Sequence, residues 1–143
     1  MTTVQNLLDH KGHDVLTISG SETVYKAIRE MADRNVGSMV VTDDEDSPVG
    51  IFTERDYARK VFLQGKSSTT TALEDILDEQ VVCARLDQTV EECMAVMTDK
   101  RVRHLPVLDN GKLVGIISIG DLVQSTIADQ QFVIDQLELY IRS

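Results

Sequence analysis

Two cysteines, eight glycines and a shortage of basic side chains in 143 residues each close off a class of function. The spacing of Cys83 and Cys93 matches no zinc or Cys-x-x-Cys pattern. Both read as small buried hydrophobes, one in a predicted strand and one on the apolar face of a predicted helix. Fourteen Lys and Arg stand against 24 Asp and Glu, a formal net charge of −10 with pI near 4.6. DNA and RNA are therefore disfavoured, since their binding depends on Lys and Arg displacing counterions. An anionic small molecule stays open, because charges beyond a Debye length of about 8 Å are screened and a few local cations outweigh a distant acidic surface. No apolar run approaches the roughly 18 residues of a membrane-spanning helix. The opening Met1-Thr2-Thr3-Val4-Gln5-Asn6 has neither the basic start nor the apolar stretch of a secretory signal. The expectation is a cytoplasmic protein with no membrane partner. No P-loop, GxGxxG or nucleophile–base pair is visible, and a chain this short has no room for a catalytic barrel or kinase domain. Catalysis is not expected. His10 and His13 fall in a predicted loop, and no Cys or carboxylate completes a metal set there.

What is present is a duplication. Val49-Gly50-Ile51-Phe52-Thr53-Glu54-Arg55-Asp56 runs parallel to Val114-Gly115-Ile116-Ile117-Ser118-Ile119-Gly120-Asp121. Each is an apolar run, then a hydroxyl residue, then an aspartate three positions on. Upstream, Val24, Ala27, Ile28 and Met31 fall on Val90, Cys93, Met94 and Met97 at the shift that carries Thr23 to Thr89. A lead-in repeats as well: Val4, Leu7, Leu8 and Asp9 against Leu73, Ile76, Leu77 and Asp78. A duplicated unit builds two equivalent clefts, so a site found in one half is to be sought in the other.

Each repeat reads as strand, helix, strand, strand, helix, an α/β chain of the α+β type. The first gives Val15 to Ile18, then a helix over Thr23 to Arg34 with apolar residues at i, i+3, i+4 and i+7. Strands at Ser38 to Thr42 and Pro48 to Phe52 follow, split by Asp43-Asp44-Glu45-Asp46. A helix from Glu54 to Gln64 stops at Gly65. The second gives a strand at Val81 to Ala84 and a helix at Val90 to Lys100. Strands at His104 to Leu108 and Leu113 to Ile117 flank Asn110-Gly111, a strong hairpin signal. A longer helix over Asp121 to Arg142 closes the chain, its extra turns placed to cover a partner subunit. The divisions are residues 4–65 and 73–130 for the repeats, 66–72 for a polar linker and 131–143 for the helical extension.

The Thr53-x-x-Asp56 and Ser118-x-x-Asp121 pairs have a plain structural reading as capping boxes, and Thr89-x-x-Glu92 needs no other. For the first two, recurrence directly after a Val-Gly-Ile strand adds a functional reading. A helix start favours an anion, so the hydroxyl can meet a phosphate and the carboxylate two sugar hydroxyls. Capping and ligation can coexist.

These endings, the element order and Arg103-His104-Leu105-Pro106-Val107 resemble a tandem pair of CBS domains, over about residues 4 to 130. The resemblance implies two β-α-β-β-α repeats packed with pseudo-two-fold symmetry, dimerisation into a flat disc, and clefts for AMP, ADP, ATP, NAD(H) or S-adenosylmethionine. Carried over by position, Asp56 and Asp121 would hold ribose. Thr53, Ser118, Arg55, Arg103 and His104 would meet phosphate, with Lys11 as a further contact. Val15, Leu16 and Thr17, and Val81, Val82 and Cys83, would line the base pockets. His104 reads equally as an ordinary strand residue, and Lys11 and His13 as surface. The copies differ: Gly37 and Ser38 stand where the second repeat has Arg103 and His104, and Gly120 stands where the first has Arg55. One strong and one weaker or different site are expected. The leading reading is a non-catalytic sensor of adenine nucleotides, homodimeric, speaking to a separate effector protein. An NAD(H)-binding redox reporter, a dimerisation scaffold with empty clefts and, last, a nucleotide-processing enzyme compete with it.

Overall fold

Two threonines start the crossover helices of the two lobes, and both act through their hydroxyls. In the computed structural model, which describes residues 1–78 and 80–142, Thr23 accepts a hydrogen bond from the Lys26 amide and opens α2 (Val24–Arg34). Thr89 does the same from Glu92 and opens α4 (Val90–Lys100), with Glu92 reaching back to complete a capping box. Their apolar stripes bury Val24, Ala27 and Met31 in one lobe and Val90, Cys93 and Met97 in the other. Both helices end in a left-handed residue, Asn35 (φ 54°) and Arg101 (φ 56°).

Each helix crosses over between two parallel strands, as parallel pairing requires. In the first lobe β1 (Thr17–Ser19) lies parallel to β2 (Ser38–Thr42), which pairs antiparallel with β3 (Pro48–Thr53). In the second, β4 (Ala84–Arg85) lies parallel to β5 (His104–Asp109), and β5 antiparallel to β6 (Lys112–Ser118). The register irregularity recurs at Val41/Thr42 and Val107/Leu108, so the duplication extends to backbone detail. The Asn110-Gly111 turn takes φ 52° and 80°, the positive pair that a two-residue hairpin demands.

Several boundaries differ from the sequence expectation. The opening strands are shorter and shifted: Val15 and Leu16 precede β1, and Val81, Val82 and Cys83 precede β4. These edge strands have one neighbour each, so pairing ends before the apolar run does. His10 is not in a loop but in α1 (Val4–Lys11), capped by Thr3. The expected helix over Glu54 to Gln64 is one α-turn, α3 (Glu54–Asp56), that widens into a π-helix over Tyr57–Phe62. Gly65, at φ +69°, lies in the turn that follows. The last helix, α5, starts two residues early and spans Ile119–Arg142. Ser143, the end of the expected extension, lies outside the described residues, as does Glu79.

The lead-ins are exchanged between lobes. Val4 and Leu8 of α1 are fully buried in the second lobe's core, beside Leu105, Ile117 and Leu122. Leu73, opening the short 3₁₀ turn Leu73–Asp75 before β4, and Ile76 just after it belong to the first lobe's core, beside Met39, Phe52 and Val61. Backbone bonds repeat the exchange: Val4 N–H donates to Gln88 O (2.8 Å) and Leu73 N–H to Glu22 O (2.9 Å). A leucine from each lead-in sits on a glycine of the opposite hairpin. A Cβ on Gly115 would stand 2.8 Å from Leu8, and one on Gly50 would stand 3.0 Å from Leu77. A side chain at either glycine of the Val-Gly-Ile motifs would therefore have to displace the leucine packed on it.

Candidate functional site

The ends of β3 and β6 form the capping boxes foreseen at Thr53/Asp56 and Ser118/Asp121. Asp56 Oδ2 accepts from the Thr53 amide (3.0 Å) and hydroxyl (3.1 Å), while the Asp56 amide donates to Thr53 Oγ1 (3.1 Å). Asp56 Oδ1 faces Lys60 Nζ at 3.7 Å, and that ammonium also holds Asp78 at 2.9 Å. In the second lobe the Ser118 amide donates to Asp121 Oδ2 (2.8 Å). Here the same oxygen is taken by Lys11 Nζ at 2.7 Å, and Lys11 also donates to Ile116 O at 2.8 Å. The lead-in exchange explains this contact, because α1 lies across β6 and its last residue reaches the strand end. Burial raises the Asp121 carboxyl, but the Lys11 bond, the Ser118 donors and the Lys11 charge together hold it below the usual carboxylate range.

A cleft of about 970 Å³ joins the lobes on the Asp56 side. Of the expected site residues it brings together Thr53, Arg55, Asp56, Val81, Val82, Arg103 and His104. Ser118, Asp121 and Lys11 meet one another instead, and none of them lines this cleft. Val15, Leu16 and Thr17 do not line it either, nor does half-buried Cys83, whose thiol burial pushes up. Burial, with Glu92 beside it, pushes the Cys93 thiol up to about 11, so neither cysteine is poised as a thiolate.

Three cations escaped the sequence reading: Arg59, Lys60 and Arg101 also line the cleft. Arg59 and Lys60 stand four residues after Arg55 and Asp56, a spacing that shares one helical face. Arg101 is the residue that ends α4. His104 lies across from Ser118 in the β5–β6 ladder. Burial lowers its imidazole; Asp121 and Asp56 pull it up, and Lys11 and Arg103 push it down. It therefore senses both carboxylates.

A family model described as CBS domain matches residues 9–62 and again 73–127. The CBS domain-containing protein CBSX3, mitochondrial, of Arabidopsis thaliana is 34% identical over 149 residues, covering 99% of this chain and 72% of that protein. The chain spans only 21% of some longer relatives, among them an inosine-5′-monophosphate dehydrogenase of Methanocaldococcus jannaschii. A solved structure of a protein with CBS domains from Burkholderia ambifaria is 51% identical at a TM-score of 0.83, covering 90% of this chain and 96% of that one. The CBS domain pair of protein MJ0100, solved with 5′-methylthioadenosine and S-adenosyl-L-methionine, is 23% identical at a TM-score of 0.78, covering 90% and 98%.

Proposed function

The chain belongs to the CBS-domain family as two consecutive CBS domains, and on that premise we propose that it is a non-catalytic regulatory module for an adenine nucleotide. One observation carries the reading. A capping carboxylate, Asp56, and the apolar pair Val81 and Val82 share the walls of one cleft of about 970 Å³, within the range of small-molecule sites. Asp56 spends Oδ2 on its cap, and Oδ1, at 3.7 Å from Lys60, is the oxygen that takes the ribose diol. Val81 and Val82 come from the opposite lobe and flank the base. A ligand seated there touches both repeats, so its binding energy acts on their relative arrangement. It can shift that arrangement only by its differential affinity for two states, and a separate effector protein reads the outcome. The neighbour solved with methylthioadenosine and S-adenosyl-L-methionine supports the adenosine part of this reading.

The module works as a homodimer in this proposal. Along α5 the exposed residues Val123, Ile127, Ile134, Leu137 and Ile141 follow alternating steps of four and three, with Gln130 in the remaining seam position. That is the heptad pattern of a helix that packs on another helix.

A thermal-shift panel of AMP, ATP, NAD, NADH and S-adenosylmethionine tests the ligand. At 100 times its dissociation constant a ligand stabilises by about 2.7 kcal/mol. No shift with any of the five would leave a dimerisation scaffold as the better account. Asp56→Asn must weaken AMP, and 2′-deoxy-AMP must suffer a similar loss on the unaltered chain.

A further inference from the structure

Although the two lobes repeat each other, the charges at their matching positions do not. Arg55, Arg59 and Lys60 line the Asp56 cleft from the first lobe, and Arg101, Arg103 and His104 line it from the second. At the matching places in the other copy stand Gly120, Gln124 and Ser125, and Asn35, Gly37 and Ser38. At each of the six matched pairs of positions one copy carries a basic residue and the other an uncharged one. This cleft holds five of the chain's 14 lysines and arginines, but only Glu54, Asp56 and Asp78 of its 24 acids. Lys60 is paired to Asp56 and Asp78. Among the described residues, the side chains of Arg55, Arg59, Arg101 and Arg103 have no ion pair. All four are exposed, so their forked donors around one opening are free to bind an anion.

Backbone conformation gives a second, separate sign. Arg101 is held at φ 56°, ψ 42° as the terminal residue of α4, a conformation that side chains other than Gly, Asn and Asp adopt at a penalty. Its counterpart Asn35 takes φ 54°, ψ 47° without that penalty. An arginine kept where asparagine fits better, with its side chain on the cleft, points to a use for the guanidinium.

We infer that the Asp56 cleft selects a ligand carrying a chain of two or more phosphates, gripped by Arg55, Arg59, Arg101 and Arg103, and that the Asp121 side takes no such ligand. Four guanidinium groups contributed by both lobes offer more forked donors than one phosphate needs, whereas a triphosphate presents enough oxygens for contacts with several. On the Asp121 side the Lys11 ammonium is already bound to the carboxylate. Selection for phosphate number also disfavours cationic S-adenosylmethionine in this cleft. The inference deepens the nucleotide reading and rests on it for the nucleoside part, while the phosphate part stands on the arginines alone.

Calorimetric titration of the full chain with adenosine, AMP, ADP, ATP and inorganic tripolyphosphate tests it, alongside Arg59→Gln and Arg101→Asn. Each substitution installs the residue that the other copy carries at that place, and asparagine suits the left-handed backbone, so folding is preserved. Affinity should climb from AMP to ATP by at least tenfold, with saturation at one ATP per chain, and each variant should lose at least tenfold for ATP but nothing for adenosine. ATP binding no tighter than AMP, or unchanged ATP affinity in both variants, would overturn the inference. The two readings part cleanly. Tripolyphosphate binding that depends on Arg101, with no gain from the nucleoside, would sink adenosine recognition and keep the phosphate site. Tight adenosine or AMP with no gain from further phosphates would do the reverse.

Discussion

Asp56 and Asp121 spend one carboxylate oxygen on the same cap, and the lysine each meets decides how the two sides differ. Lys60 approaches Asp56 from the same lobe at 3.7 Å, while Lys11 arrives from the exchanged α1 at 2.7 Å. Lys11→Met should destabilise the fold at pH 7 by about 1 kcal/mol, a value discounted for the partial exposure of both partners. Because Asp121 titrates below its ordinary range, the contribution is present above an ordinary aspartate pKa of about 3.9 and fades as pH falls through the folded value. Urea unfolding at pH 7 and pH 3 should show the gap between variant and parent closing at the acid end. His104 runs on the same sign. Burial lowers its imidazole, so its neutral form favours the fold above about pH 6.5, and that advantage is lost as pH falls through the folded value. Melting curves between pH 7.5 and 5 should therefore drop more for the parent than for His104→Gln, and equal slopes would remove His104 from the account. At this scale the sequence was legible where a residue's role follows from its neighbours along the chain, as with the Thr53 and Ser118 caps. Lys11 on Asp121 was not legible, since a sequence separation of 110 is bridged only by the fold.

Helices α2 and α4 follow from local chemistry, each with a threonine start, an apolar stripe and a left-handed stop. Their boundaries could accordingly be read in advance. The widening at Tyr57–Phe62 could not, because over six residues the apolar spacing does not separate an α-turn from a π-turn. Nor could the partner of each lead-in be read. A run such as Val4, Leu7, Leu8 says that a face is buried without saying against what. Two predictions belong here. Arg101→Asn relieves a left-handed arginine and should raise stability by about 1 kcal/mol, visible as a higher melting temperature in the absence of ligand. Leu8→Ala removes a fully buried side chain from the opposite lobe's core and should cost about 2–5 kcal/mol in urea unfolding. A small effect would mean that α1 is not integral to that core.

Across the whole molecule a net charge of −10 coexists with a cleft in which basic groups outnumber acids. The surrounding acids disfavour contact with nucleic acid while leaving a short-range site for a small anion. The other exposed feature at this scale is α5, which spans 24 residues with Leu122 as its buried one. Light scattering should give a mass of twice 15.9 kDa for the parent. Ile134→Asp combined with Leu137→Asp should halve it without unfolding the lobes, since both side chains are exposed in the single chain.

The crossing of α1 and the Leu73–Asp75 turn into opposite lobes has a consequence for how such a molecule can be divided. Cut within the polar stretch 66–71, the chain would give two pieces, each keeping the segment that plugs the other's core and missing its own. Neither piece should hold a stable shape by itself, yet mixing them should restore the whole, each half acting as the missing stopper for its sibling.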